Sequence, residues 1–82
     1  MRIEIDGQTY FEIVGHTGKT SEISSNLRIE DEDDQDAVGW NHQIDMLEAL
    51  VLAHFVAGIE VTSDAYIQGI RTAVEAASNI TA

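Results

Sequence analysis

The first fourteen residues alternate between polar and apolar side chains in a way that predicts a β-hairpin. Residues 2–5 alternate strictly, and Asp6-Gly7 follows them as a two-residue turn signal, because both central positions of such a turn need a positive φ. Residues 8–14 are rich in the β-branched and aromatic side chains that favour strands. The pattern therefore predicts two antiparallel strands joined by a tight turn.

The register of this hairpin decides which side chains share a face. A plain two-residue turn pairs Ile3 with Tyr10 and sends Phe11 and Ile13 to the face opposite Ile3 and Ile5. A bulge or a longer loop brings all four apolar residues onto one face. We favour such an irregularity, because a small domain rarely buries both faces of its sheet.

The next segment predicts a third strand after a polar connector. Residues 15–25 form the connector, and residues 26–30 place Leu27 and Ile29 on one face. The simplest arrangement of the three strands is an antiparallel meander. Its apolar face needs a cover from the rest of the chain.

The second half of the chain changes to helical periodicity. Over residues 37–58, apolar side chains recur at spacings of three and four: Trp40, Ile44, Leu47, Val51 and Phe55. Asn41, Asp45 and Glu48 are expected on the water-facing side. Gly58 is a typical C-terminal stop, because glycine readily adopts the left-handed conformation that ends many helices.

A second helix is predicted over residues 63–79. Thr62 or Ser63 can cap it, and Asp64 lies in its first turn, where the helix dipole favours negative charge. Its apolar stripe consists of Tyr66, Ile67, Ile70, Val74 and Ala77. We therefore expect one α+β domain over residues 1–82, with a three-stranded antiparallel sheet followed by a helical hairpin packed on one sheet face.

The amino-acid composition limits the functions that this chain can have. Four Lys and Arg against fifteen Asp and Glu give a net charge of 4 − 15 = −11, which argues against direct binding of nucleic acid. The absence of Cys excludes disulfides and cysteine zinc sites. No signal peptide is recognisable, and the longest apolar run, residues 49–59, is shorter than the ~20 residues of a membrane span. We expect a cytoplasmic protein with no cofactor, no bound metal and no membrane contact.

The strongest local feature is a run of six acids in seven positions, called the acidic run below: Glu30, Asp31, Glu32, Asp33, Asp34 and Asp36. Charge is polarised toward this half of the chain, since residues 1–36 carry 3 − 10 = −7 and the remainder carries 1 − 5 = −4. Glu4, Asp6 and Glu12 can extend the run across the outer face of the sheet. Side chains on one strand face recur every ~6.6–6.8 Å, near the spacing of phosphates in nucleic acid.

The acidic run has two other interpretations, of which the first stays open and the second is weak. It can be a solvated loop whose acids favour the start of a helix, with Asp36 as the cap. A calcium-binding EF-hand loop starting at Asp31 fits poorly, because Asp36 takes the place of the required glycine and His42 takes the place of the final glutamate.

The remaining candidate chemistry is weak. Residues 15–20 resemble a phosphate-binding loop, but Ile13 stands where that motif requires glycine. The three histidines have no metal-ligand spacing, although His42, Asp45 and Glu48 share one helical face, as a carboxylate–histidine arrangement requires. We expect no enzymatic activity, because so small a domain offers little concave pocket.

The end of the first predicted helix is apolar almost all round. Burial between the sheet and the second helix is one explanation. A homodimer seam that includes Leu50, Val51 and Phe55 is the other.

Residues 47–54, 57–61 and 65–70 resemble the C-terminal half of small phage and prophage proteins of a helical-hairpin type. In size and charge, the whole chain resembles the acidic anti-defence proteins of phages, including anti-CRISPR proteins. Several members of that group imitate nucleic acid and occupy the nucleic-acid groove of a host effector. The resemblance implies action in the host cytoplasm, and it assigns no functional residue.

Together these observations lead to a binding function. The leading hypothesis is an inhibitor that presents its acids to a basic, nucleic-acid-binding host protein or nuclease. The alternative is a small homo-oligomeric structural or ligand-sequestering protein, in which the acids serve only solubility. A third explanation is adaptation of the surface to a salt-rich cytoplasm.

Overall fold

The computed structural model describes residues 1–15, 21–31 and 33–81, with side chains as far as residue 79. Three strands, β1 (Arg2–Ile5), β2 (Gln8–Val14) and β3 (Glu22–Ser25), form an antiparallel sheet in the order β1-β2-β3. Two helices follow, α1 (Gln35–Val56) and α2 (Asp64–Thr81). The α+β fold is confirmed, and both helices begin and end within two residues of the predicted limits.

The β1–β2 hairpin has the irregular register that the burial argument favours. Asp6 and Gly7 both have positive φ values, 52° and 81°, as a tight turn requires. Ile3 is paired with Phe11 because the register shifts between Ile3 and Glu4. As a result, the inward side chains of both strands are buried: Ile3, Ile5, Phe11 and Ile13.

The third strand was predicted four residues too late. β3 pairs with β2 through Ser25 opposite Phe11, and Ser25 then ends the strand, because its Oγ donates to the Tyr10 carbonyl at 2.7 Å and accepts the Leu27 amide at 3.1 Å. Residues 26–30 lie outside the sheet. Three of their backbone groups, the Leu27 carbonyl and both groups of Ile29, are instead bound by side chains of α1.

Two residues of α1 hold this segment. Trp40 Nε1 donates to the Leu27 carbonyl at 2.6 Å. The Asn41 side chain accepts the Ile29 amide and donates to the Ile29 carbonyl, both at 2.8 Å. Asn41 was predicted on the water-facing side, and that prediction is wrong, since its exposed fraction is 3%. Its amide replaces the backbone partners that a strand would supply.

The helix ends follow local chemistry. Asp34, rather than Asp36, caps α1, and its carboxylate accepts the Asp36 amide at 3.0 Å. Gly58, with φ +83°, ends the helix as predicted: its amide donates to the Phe55 carbonyl, and the Ile59 amide donates to the His54 carbonyl. Ser63 caps α2, since its Oγ accepts the Tyr66 amide at 3.4 Å.

The core lies between the sheet and the helical hairpin. The four inward strand residues pack with Val51, Val61 and Ile70, and half-buried side chains such as Leu47 and Phe55 surround this cluster. Most of the two predicted apolar stripes belongs to this core: Leu47, Val51 and Phe55 of α1, and Tyr66, Ile67, Ile70 and Val74 of α2. Within the described part of the chain, no helix combines the length and apolar character needed to cross a membrane.

Candidate functional site: an acidic surface at the start of helix α1

The acidic run lies between the segment bound by Asn41 and the start of α1. Five of its six acids are described, and all five are exposed. Glu32 lies outside the described residues. Asp31 accepts the Asp33 amide at 3.2 Å, and Asp34 caps the helix. Two carboxylates therefore help to shape the loop that carries the others.

The described arginines bind acids elsewhere. Arg2 pairs with Glu12 at 3.3 Å, Arg28 pairs with Asp45 at 3.3 Å, and Arg71 pairs with Asp6 at 2.8 Å. The remaining cationic side chain, Lys19, lies outside the described residues. These three ion pairs join the arginines to acids outside the acidic run. Arg28, which precedes Glu30 by two residues, has a further interaction besides its pair with Asp45.

The outer face of the sheet carries a second group of acids. Glu4 and Glu12 both point away from the buried side of the sheet, and both are expected members of the site. Glu22 joins this face, because it opposes the outward Val14. Sequence reasoning missed Glu22 because its segment was assigned to a connector, although the polar–apolar–polar order of residues 22–24 is a strand signal.

Asp6 does not belong to the outer sheet face, so its place in the predicted stripe is wrong. The turn directs its carboxylate to Arg71 on α2, 65 positions away in the chain. This ion pair links the hairpin turn to the second helix. It also leaves Asp6 less available to an external cation than Glu4, which has no described ion pair.

On the polar face of α1, one carboxyl group, that of Glu48, has a shifted pKa. Burial of its side chain raises the pKa of Glu48, the nearby Asp45 carboxylate raises it further, and the Arg28 guanidinium partly opposes both effects. Its Oε1 atom is buried without a hydrogen-bond partner in the described structure. His42 remains exposed on this helix. The carboxylates of this face are thus organised around Arg28.

His54 and Tyr66 form a polar pair between the two helices. His54 Nδ1 lies 3.0 Å from the Tyr66 hydroxyl, and the rings meet edge to face at 5.5 Å. Burial raises the pKa of the Tyr66 hydroxyl, so it stays protonated and can donate to a neutral imidazole. The pair joins the last turns of α1 to the first turn of α2.

The three residues proposed for an oligomer seam differ in how far they are exposed. Leu50 is 47% exposed and fits that role. Val51 has no exposed surface and belongs to the core, so its assignment to a seam is wrong. Phe55 packs against the core and borders a different cavity, near Ile13 and Val14. Of these three residues, Leu50 is therefore the one whose side chain is exposed enough to contact a second molecule.

No group of three or more His, Asp or Glu residues suited to a metal ion occurs within the described residues. Of the segment resembling a phosphate-binding loop, only Gly15 is described.

Comparison with models of protein families, with curated proteins and with solved structures finds no match. The candidate function therefore depends on the geometry and charge of the chain itself.

Proposed function

We propose that the protein inhibits a basic, nucleic-acid-binding protein of a bacterial host, such as a nuclease or a CRISPR effector. Acting as a phage-type anti-defence protein in the host cytoplasm, it binds rather than catalyses. The acidic run, with Glu4, Glu12 and Glu22 on the sheet, contacts Lys and Arg that otherwise hold phosphates. Glu12 makes this contact in competition with its ion pair to Arg2. Inhibition follows from steric and electrostatic competition with the nucleic acid.

One observation supports this proposal above the others: five acids of the acidic run are described, and all five are exposed within seven consecutive positions. Concentrated charge also accelerates encounter with an oppositely charged cleft, particularly at low ionic strength. These properties suit an inhibitor that must reach its target before nucleic acid does.

The partner is first isolated from a bacterial lysate at low ionic strength and eluted with a salt gradient. Displacement of labelled DNA or RNA from the isolated partner then measures inhibition. The test variant carries Asp31→Asn, Asp33→Asn and Asp36→Asn, and Asp34 is left unchanged because it caps α1. Asparagine keeps the oxygen of residue 31 that accepts a backbone amide.

The matched control carries Glu60→Gln, Asp64→Asn and Glu75→Gln, three exposed acids outside the site. Both variants have a net charge of −11 + 3 = −8. If each contact contributes ~0.5–1 kcal/mol, the test variant binds roughly 10- to 100-fold more weakly. The control is expected to bind nearly as well as the wild type. Equal weakening of both variants, or unchanged inhibition by the test variant, would contradict the proposal.

A further inference from the structure

The turn between β1 and β2 carries a chemically reactive sequence. Asp6-Gly7 is the one place in the chain where glycine follows an aspartate or an asparagine. The amide nitrogen of the residue after an aspartate can attack the side-chain carboxyl carbon and close a cyclic succinimide, and a side chain on that residue obstructs the approach. Glycine has no side chain. Asp6 is therefore the aspartate of this chain that is least shielded from such an attack.

Both reacting groups are open to water. The Asp6 side chain has an exposed fraction of 83%, and Gly7 is exposed beside it. A Cβ atom added at Gly7 would meet nothing within 4 Å. Within the described part of the chain, the Gly7 amide has no hydrogen-bond acceptor. Neither packing nor a competing hydrogen bond protects this nitrogen, and the water that opens a succinimide can reach both residues.

Few backbone pairs hold the tip of the hairpin. The register shift after Ile3 separates the tip from the rest of the sheet, and two pairs remain between this irregularity and the turn: Glu4 with Thr9, and Ile5 with Gln8. Among these four side chains, only that of Ile5 is buried. A short unit with little burial opens locally more often than the core does. Opening frees the backbone dihedral angles of the turn, which the closed hairpin fixes at positive φ.

One long-range contact opposes the reaction. Nη2 of Arg71, on α2, lies 2.8 Å from Oδ2 of Asp6 and joins the tip of the hairpin to the second helix. A charge-assisted hydrogen bond of this kind fixes the direction of the carboxylate. The carboxylate must leave Arg71 before its carbon can face the Gly7 amide, and it must take up a proton before one of its oxygens can depart as water. The ion pair hinders both steps.

We propose that Asp6-Gly7 is a site of spontaneous isoaspartate formation, and that the Arg71 ion pair sets its rate. In the first step, the Gly7 nitrogen bonds to Cγ of Asp6 and loses its proton, and one oxygen of the protonated carboxyl group leaves as water. In the second step, water adds to the main-chain carbonyl carbon of Asp6 and breaks the bond from this carbon to the Gly7 nitrogen. One water is released and one is consumed, so mass and net charge stay the same, and no enzyme, oxidant or cofactor takes part.

Isoaspartate alters the turn itself. The chain now continues through Cγ, which adds one methylene to the backbone, and the carboxylate is attached directly to Cα. The lengthened turn no longer matches the pairing of β1 with β2, and the shorter arm takes the carboxylate away from Arg71. We expect looser packing of Ile5 and a lower unfolding midpoint in urea. This change concerns the fold and does not depend on the function proposed above.

The test follows Asp6 during prolonged incubation of the folded protein in neutral buffer. Peptide mapping separates the isoaspartyl peptide from its parent of equal mass, and methylation by an isoaspartyl methyltransferase identifies the new carboxylate. Arg71→Gln should raise the initial rate by about 2- to 5-fold, as the loss of one partly exposed ion pair allows. Arg28→Gln is the matched control, because it removes the same charge and an ion pair outside the turn. It should react at the wild-type rate.

Gly58→Ala separates local opening from global unfolding. It destabilises the end of α1 by placing alanine at a positive φ, and it leaves the turn unchanged. Reaction through local opening predicts the wild-type rate for this variant. The proposed site is overturned if the folded wild type forms no isoaspartate at Asp6 while the chain unfolded in urea does. Equal rates in Arg71→Gln and in either control variant overturn the role of the ion pair.

Asp6→Glu tests the structural consequence. Glutamate keeps the negative charge, but it forms the corresponding larger ring much more slowly. Incubated wild type should lose stability in urea in proportion to its isoaspartate content, whereas incubated Asp6→Glu should keep its own starting stability. Equal losses in the two proteins would show that the modification does not disturb the hairpin.

Discussion

At the level of single residues, Glu48 shows how position in the fold alters an ordinary side chain. It lies on the polar side of α1, yet its carboxyl group is partly removed from water and lies close to the Asp45 carboxylate. Both conditions disfavour the charged form. The ionised Glu48 therefore destabilises the folded state, even though the residue sits on a helix surface.

This leads to a pH-dependent prediction for Glu48→Gln. The pKa of Glu48 lies above its ordinary value of 4.5 in the folded protein, so the folded state binds the proton more tightly than the unfolded chain does. As pH rises from below 4.5 through the pKa of Glu48 in the folded state, ionisation of Glu48 lowers the free energy of unfolding of the wild type. Glutamine at this position does not titrate and has no such effect. The free energy of unfolding of the variant, relative to wild type, should be higher at pH 7 than at pH 4.

Urea unfolding at a series of pH values measures this difference. Glu75→Gln is the control, because it removes one negative charge from an exposed position on α2. The pH dependence of its relative stability should be smaller than that of Glu48→Gln. An identical pH dependence for the two variants would show that net charge alone, rather than burial beside Asp45, causes the effect.

At the level of elements, α1 depends on glycine at its end but not in its interior. Gly58 has a positive φ and completes the hydrogen bonds that close the helix, whereas Gly39 lies in the first half of α1 without a positive φ. The same residue type therefore has opposite energetic consequences at two positions of one element. Substitution by alanine separates them.

We predict opposite signs for Gly58→Ala and Gly39→Ala. Alanine at residue 58 must adopt a left-handed conformation, which costs ~1–2 kcal/mol. Alanine at residue 39 meets nothing within 4 Å and gains helix propensity, so it should stabilise the protein by ~0.8–1 kcal/mol. Urea midpoints give both values. If Gly58→Ala were neutral, the left-handed end of α1 would not be required for stability.

The length and type of each strand and helix can be predicted from the local sequence, but the course of the chain between them cannot. Residues 26–30 have an acceptable strand pattern, yet the chain leaves the sheet at Ser25, whose hydroxyl accepts the amide of Leu27. Asn41 then binds both backbone groups of Ile29. Such a contact joins residues twelve positions apart, and a local hydrophobic pattern contains no information about it.

At the level of the whole molecule, negative charge dominates the surface. Exposed acids lie on the outer sheet face and at the approach to α1, and others lie on or near the two helices. The stability of the fold is expected to depend on ionic strength, because most of the negative charge has no cation beside it.

We predict that added sodium chloride stabilises the folded protein. The screening length falls from ~30 Å at 0.01 M to ~8 Å at 0.15 M, so repulsion within a molecule of net charge −11 decreases. The three ion pairs with arginine are exposed and lose little. Thermal unfolding at low protein concentration measures the effect, which should be smaller in the triple variant of the acidic run. Destabilisation by salt would mean that the ion pairs outweigh the repulsion.

The sequence alone determined the order of strands and helices, the Asp6-Gly7 turn and the end of α1 at Gly58, because each depends on φ preferences and periodicities of neighbouring residues. It also determined that six acids lie together. Tertiary structure decided the place of β3, the burial of Asn41 and the core position of Val51. It also decided which acid Arg71 binds, since this arginine reaches Asp6 across almost the whole chain. These outcomes depend on contacts between distant segments, which form only when the two layers pack.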